Sequence, residues 1–396
     1  MSSDISFFNQ ANVLLIRLYG SGQNGLDLTN CFVNLHISEN IFSPCLFANL
    51  TISDTDNLAT SFPIKGGETV EITFSDSVAN GITVDNTVKL YFMVKSVMPD
   101  QKTTNYESQN QKITVLNLIS PYGIMSKLHR ISHRFKDKAS VIINLLMQEF
   151  GGLSTNNIEI YDDFEADYVS NFWDMNENID YLKYLNVDGM HFETLKKRVF
   201  AKLSTLTKLQ VKEIWDMNRQ TMEYVLSTTS VRNFRIISRF DILESLKKYS
   251  FGNVVYNPNL YGYPFKAEFV NLENVYKEAF KLMGSESVYY AFLTGTDCYN
   301  TVVSYVLNSN VAKYRNMVLN QLSDYNVVCR LNGSVKRGVG DLIQFDMPSV
   351  IYDNRNNSVN LKGLWLITKI EHEIDSNMKY WQDITIFKNA FKKAGA

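Results

Sequence analysis

Gly67-Glu68-Thr69-Val70-Glu71-Ile72-Thr73-Phe74 and Gly340-Asp341-Leu342-Ile343-Gln344-Phe345 decide how this chain folds. Each stretch opens with glycine and a carboxylate. Each then alternates apolar and polar residues up to a phenylalanine, as a half-buried strand does. A loop with basic residues precedes both: Lys65 in the first, Lys336 and Arg337 in the second. The second stretch is two residues shorter.

The likeness extends downstream. Leu90-Tyr91-Phe92-Met93-Val94-Lys95 matches Leu364-Trp365-Leu366-Ile367-Thr368-Lys369. Gln111-Lys112-Ile113-Thr114-Val115-Leu116 matches Gln382-Asp383-Ile384-Thr385-Ile386-Phe387. Gly67 to Lys95 is 28 positions and Gly340 to Lys369 is 29. Similar strands in one order at similar spacing predict two copies of one β-domain.

Further strand-like runs precede the first copy: Asn12–Tyr19, Phe32–Ile37 and Leu46–Ser53. In the last, Leu46, Ala48, Leu50 and Ile52 share a face. Turn-forming stretches at Ser21–Gly25, Lys65–Gly67 and Asn80–Gly81 separate the strands. Six strands with short turns indicate a small barrel or sandwich. Residues 121–228 read as mixed α/β. There Asp137–Phe150 has helical spacing and stops at Gly151–Gly152, and Met190–Leu209 is a second amphipathic stretch. Strand patterns return at Phe234–Ile237 and Asn253–Tyr256, around a helix at Asp241–Lys248. A Tyr- and Asn-rich section leads to a helix at Ala312–Gln321, and strands resume from 325 to 391.

The predicted class is therefore α+β: two similar tube-like antiparallel β-barrel domains plus inserted mixed α/β parts. The boundaries are 1–120 for the first barrel and 121–228 for the mixed domain. The second barrel is discontinuous, at 229–258 and 322–391. Residues 259–321 form an insertion packing on the mixed domain, and loop tips tolerate insertions of this kind.

Composition narrows the function classes. Of 396 residues, 45% are hydrophobic and 13% aromatic, which suits β-rich cores and wide interfaces. The net charge of −2 lacks the basic excess of a dedicated nucleic-acid binder. The basic run Lys196, Lys197, Arg198, Lys202, Lys208, Lys212 reads as a solvated helix face. Cys31, Cys45, Cys298 and Cys329 form no CxxC pair and read as reduced thiols. Neither a signal peptide nor a stretch long enough to span a bilayer is expected, so no direct membrane insertion follows.

Catalytic and metal chemistry has few candidates. His129 and His133 stand at i, i+4 on an expected helix, with Arg130 and Arg134 beside them and no third ligand, so they read as surface histidines. His372 shares the face of Ile370 and Ile374 and reads as half-buried and hydrogen-bonded. His191 reads as a turn entering a strand. The acidic group Asp162, Asp163, Glu165, Asp167 lacks calcium-loop spacing. A paired-carboxylate hydrolase is the enzymatic alternative for it. No P-loop, GxGxxG or GxSxG occurs. No catalytic, cofactor-binding or metal residue is assigned, and no cofactor is expected.

The chain resembles the baseplate hub protein of contractile phage tails, including the hub of the T-even phages. Leu46–Asp54 with Lys65–Ile72 resembles the first tube-like barrel of that family. Gly340–Phe345, Gly363–Ile374 and Trp381–Phe387 resemble its second. The resemblance implies a non-enzymatic homotrimer whose six barrels form a ring. That ring joins a threefold central spike to a sixfold tail tube or tube-initiator proteins. Tape measure and inner baseplate wedge proteins are further partners it implies, with DNA passing through a neutral or acidic lumen. The resemblance places the chain in the virion tail baseplate, made in the host cytoplasm. No fused wall-degrading domain is expected after the last strand. The rival readings are a tail-associated cell-wall hydrolase, a receptor-binding module, and the hub of a non-contractile tail or a type VI-like spike.

Overall fold

A computed structural model describes residues 10–20, 25–53, 62, 64–76, 86–98, 113–161, 163–185, 189–202, 231–238, 252–257, 266–271, 300–303, 326–345 and 363–387. The expected helices Asp241–Lys248 and Ala312–Gln321 lie outside the described residues.

In the first part the strands are β1 (Ala11–Tyr19), β2 (Leu26–Asp27), β3 (Phe32–Asn40), β4 (Phe47–Ser53), β5 (Thr69–Asp76), β6 (Thr87–Met98) and β7 (Ile113–Ile119). The middle holds helix α1 (Pro121–Met125), β8 (Ile131–Lys138), α2 (Ala139–Leu145), β9 (Ile158–Ile160), β10 (Glu165–Trp173), α3 (Met175–Leu185), β11 (Gly189–Glu193) and β12 (Arg198–Lys202). Then follow β13 (Val231–Ser238), β14 (Gly252–Asn257), β15 (Lys266–Asn271), β16 (Asn300–Val303), β17 (Asn326–Asn332), β18 (Leu342–Phe345), β19 (Gly363–Asp375) and β20 (Tyr380–Phe387). The described fold is mostly antiparallel sheet with few helices. Parallel pairs occur only at β9–β12 and β14–β16 among the described residues.

One large sheet gathers strands from both ends of the chain, and β19 pairs with β3 at its middle. On one side of that seam the order is β3-β4-β7-β6-β5, extended by β1 and β2. On the other side it is β13-β17-β20-β19, with β18 paired to β19. Read from β3 and from β13, the two halves have the same strand order, antiparallel throughout.

The equivalence holds at the level of single bonds. Gly67 and Gly340 both have φ +88°, a conformation that suits glycine. Gly67 N–H donates to Val94 O and Val94 N–H to Glu68 O, each 2.8 Å. Gly340 N–H donates to Ile367 O at 2.9 Å and Ile367 N–H to Asp341 O at 2.8 Å. The carboxylates close the loop alike: Glu68 accepts from Lys65 N–H at 2.7 Å, and Asp341 accepts from Gly338 N–H at 2.8 Å. A bulge follows in each long strand, at Lys95 in β6 and Thr368 in β19.

These bonds correct the residue matching read from sequence. Val94 corresponds to Ile367, not Thr368. The β6–β7 and β19–β20 registers then make Asn117 the counterpart of Thr385, three positions from the sequence match. Alternating patterns repeat every two residues, so a pattern alone fixes neither register nor bulge.

Other readings also change. The described part of Met190–Leu209, up to Lys202, is not an amphipathic helix, for Gly189–Glu193 and Arg198–Lys202 pair as an antiparallel hairpin. The hairpin follows from Met190, His191, Phe192, Val199, Phe200 and Ala201 all being buried, which leaves no solvated face. Gly252–Asn257 pairs with β15 and β16 in a separate small sheet. The helix predicted from Asp137 starts at Ala139, continues as a π turn through Phe150 and ends at Gly151.

A helix the pattern did not reveal, α3, follows Asp174. Glu177 N–H donates to Asp174 at 2.8 Å and Asp174 N–H to Glu177 at 2.7 Å. This is a capping box, legible as Asp-x-x-Glu before an apolar run.

Candidate functional site

The seam between the two halves is the most constructed polar region among the described residues. Seven residues of β19, Lys369–Asp375, face seven of β3, Asn40–Asn34. On the buried side Phe74 of the first half meets Tyr380 of the second edge-on, with ring centroids 6.0 Å apart. Leu195, Val335, Ile374 and Tyr380 join the first half's core.

A buried carboxylate sits in this apolar layer. Glu39 is fully buried, as are His372, Gln382 and Tyr380. Glu39 accepts from Leu195 N–H at 2.9 Å and from Val339 N–H at 3.0 Å. His372 Nε2 lies 3.3 Å from the same carboxylate. His372 Nδ1 meets Tyr380 Oη at 2.8 Å and Gln382 Nε2 at 3.1 Å. Gln382 also donates to Ser334 O at 2.7 Å and accepts from Arg337. One carboxylate thus ties together β3, the β11–β12 turn and the loop that ends at Gly340. Satisfied buried networks of this kind fix geometry.

Sequence reading passed over Glu39. Its signal was the period of two, which puts Glu39 on the face of Leu35 and Ile37, both buried.

The exposed side of the seam carries an ion pair. His36 Nε2 stands 3.1 Å from Glu371 Oε2, and Ser38 Oγ donates to Glu371 at 3.1 Å. Contact with Glu371 raises the His36 imidazole above its ordinary value. Burial pushes the Glu371 carboxyl up, but contacts with His36 and Lys369 outweigh it and leave it lowered. The raised His36 contributes stability in full below its unfolded value of 6.5, and the contribution fades as pH rises through the folded value. The lowered Glu371 contributes above 4.5 and fades as pH falls. The pair therefore matters most between those two values. Both groups are partly exposed, so it is worth less than about 1 kcal/mol. His36→Gln is expected to lower the melting temperature most near pH 5.5. The gap to wild type closes by pH 9, as thermal melts across pH will show.

The residues weighed from sequence are dispersed. His129 and His133 do not share a helix, since His133 lies on β8 and both are exposed. Alternate residues of that strand, Ile131 and Phe135, are buried, so the segment has a two-residue period. His372 is fully buried, not half-buried, because β3 covers the edge that an isolated strand would leave open. His191 lies inside β11, also buried. Burial and Arg198, whose guanidinium nitrogen is 3.4 Å away, hold its imidazole well below the ordinary value.

Asp162 lies outside the described residues. Asp163 accepts from Ser140 N–H at 3.0 Å and Ser140 Oγ at 2.8 Å. Asp167 is gripped by Arg134 through two bonds of 3.1 Å, and Glu165 is exposed opposite Lys138. The acids that were candidates for hydrolysis thus line a strand ribbon and a helix start. Lys197 pairs with Glu159 at 2.6 Å, and buried Arg198 pairs with Glu193 at 2.8 Å over the Tyr122 ring. Among the described residues no cluster of three or more His, Cys, Asp or Glu is placed to hold a metal. No described helix is long and apolar enough to cross a membrane.

Cys45 and Cys329 are buried free thiols, each pushed up to about 12 by burial. Cys31 is half-buried, and Cys298 lies outside the described residues.

Solved structures share this fold. A tail protein from Neisseria meningitidis superposes with TM-score 0.56 at 10% identity, covering 96% of this chain and 97% of that one. The 43 kDa tail protein of prophage MuSo2 from Shewanella oneidensis gives 0.58 at 10% identity, covering 95% and 99%. The chain shares the fold of phage tail proteins. A VgrG-containing complex from Francisella also matches, at TM-score 0.52 and 9% identity over 98% of this chain and 54% of that one. No protein-family model matches the sequence, and no curated relative matches it.

Proposed function

We propose that this chain is a non-enzymatic structural subunit of a phage tail or tail-like device, forming the hub ring between a spike and a tube. One observation carries the reading: two halves of one sheet with the same strand order, the same bulge and the same φ +88° glycine. A chain with two equivalent modules turns three copies into six similar positions around one axis. Such a ring meets a threefold spike on one side and a sixfold tube on the other, and closed cyclic symmetry needs only one repeated interface.

In this reading the modules are tube-like barrels at 1–120 and at 229–258 with 322–391. Residues 121–228 and 259–321 are the mixed parts between them, and β14, at the edge of the second module, pairs with strands of the insertion. The partners are further copies, a central spike, and the tube or its initiator, with tape measure and wedge proteins alongside. DNA passes through the lumen, and its place is the virion tail. The near-balance of 39 basic and 41 acidic residues supports a lumen that does not hold phosphates. The likeness to a VgrG-containing structure supports a type VI-like spike as the second setting for the same ring.

Light scattering of the purified chain, alone and with the spike protein encoded beside it, tests the proposal. The expected mass is three times the 45.5 kDa chain mass. A monomer in both conditions sinks it.

A further inference from the structure

We propose that the turn between β11 and β12 is a docking point for an acidic protein segment that carries an apolar anchor residue.

The basic run at 196–198 reads from sequence as part of a solvated helix face. In the structure Lys196 and Lys197 stand on the hairpin turn, and Arg198 opens β12. A recess lies on each side of this turn. One, of about 220 Å³, faces the first half of the chain, and Leu90 and Phe92 of β6, Met147, Leu153 and Ile158 give it apolar walls. The other, of about 400 Å³, lies between the turn and residues 335–341. Thr194, Leu195, Lys196 and Lys197 line both, so a segment laid across the turn reaches the two recesses together.

The lining is basic. Of its acids, Glu159 is held by Lys197 at 2.6 Å and Glu193 by Arg198 at 2.8 Å. Lys89, at the mouth of the first recess, is held by Glu71 at 2.7 Å. Among the described lining residues that leaves Lys196, Lys336 and Arg337 against Asp341. The chain as a whole carries −2, so the excess is local. Lys196 and Lys336 are exposed, one on each wall of the larger recess. Arg337 donates to two neutral oxygens, Asn332 O at 3.0 Å and Gln382 Oε1, which leave its charge in place.

Both walls are fixed before any ligand arrives. Thr194 N–H donates to Lys197 O at 2.8 Å, and Thr194 Oγ1 accepts from Lys197 N–H at 3.1 Å. Glu39 anchors the turn through Leu195 N–H and the opposite wall through Val339 N–H. Asp76 holds that wall again, accepting from Val335 N–H at 3.0 Å. A site ordered in advance loses less entropy on binding.

Size and chemistry select the ligand. Small-molecule pockets span about 300–1,000 Å³, so the first recess falls below that range and the second near its lower end. Recesses of this size suit single side chains, and a nucleic-acid duplex is too wide to enter either. The apolar walls of the first fit a leucine or phenylalanine, and the cations around the second fit carboxylates. Phosphates would use the cations and leave the apolar recess empty.

Fluorescein-labelled hexapeptides, each with glutamates around one leucine or phenylalanine, serve as probes, titrated against the whole chain by fluorescence anisotropy. Saturable binding is expected, weakening as salt is added. Replacing the apolar residue by serine, or the glutamates by glutamine, should each weaken it about tenfold. Lys196→Glu with Lys336→Glu should do the same, as reversing charge-assisted contacts does. Circular dichroism and melting temperature verify the fold of the double variant, and Lys196→Gln alone carries the comparison if it fails to fold. No saturable binding of any peptide at millimolar concentration overturns the proposal. So does equal binding by wild type and folded variant. A DNA duplex that binds more tightly than every peptide, and loses binding in the same variant, overturns it in favour of a phosphate site.

Discussion

Glu39→Ala is expected to destabilise the chain by about 3–5 kcal/mol, the combined cost of leaving several buried donors without an acceptor. Three groups lose their acceptor at once: Leu195 N–H, Val339 N–H and His372 Nε2. Each buried donor left without a partner costs about 1–3 kcal/mol. Glu39 and His372 are both buried, so the freed donors start out shielded from solvent. Glu39→Gln keeps an oxygen acceptor, so a smaller loss is expected. Adding His372→Ala to Glu39→Ala should cost less than the two single losses together, because the pair is already broken. Urea midpoints of the four proteins measure this. A Glu39→Ala midpoint within error of wild type would mean that the carboxylate does not organise the seam.

Gly340→Ala is expected to cost about 2–4 kcal/mol, and Gly67→Ala about 1–2 kcal/mol. Both glycines have φ +88°, so the backbone strain of a side chain is common to the two. Their surroundings differ. A Cβ on Gly340 would stand 2.8 Å from Phe192 Cζ, whereas one on Gly67 meets only Met93 Cε at 4.0 Å. Phe192 is itself buried and has nowhere to retreat. The difference between the two losses thus reads the packing of the middle segment against the second half. Equal losses in parallel unfolding curves would assign both to strain alone.

The comparison of Gly67 with Gly340 also shows how far sequence reading reached. Glycine, carboxylate, alternation and order were all legible, and the two loops do close with the same bonds. Residue-by-residue matching was not legible, because a bulge at Lys95 or Thr368 leaves no mark in an alternating pattern. Glu39 and the Asp174–Glu177 box were readable from period two and from capping spacing, and were passed over. The hairpin at Gly189–Lys202 was misread because a strand buried on both faces has no periodicity to distinguish it from a helix.

In the two halves of the large sheet, sequence by itself determined most of the segments that become strands and which of their faces turn inward, because backbone propensity and the two-residue period are local properties. Only the tertiary structure decided that β19 lies against β3, that two distant halves become one sheet, and that Glu39 is buried where they meet. Strand edges are generic rows of N–H and C=O groups, and nothing in a strand's own residues names its neighbour. The whole chain's packing makes that choice.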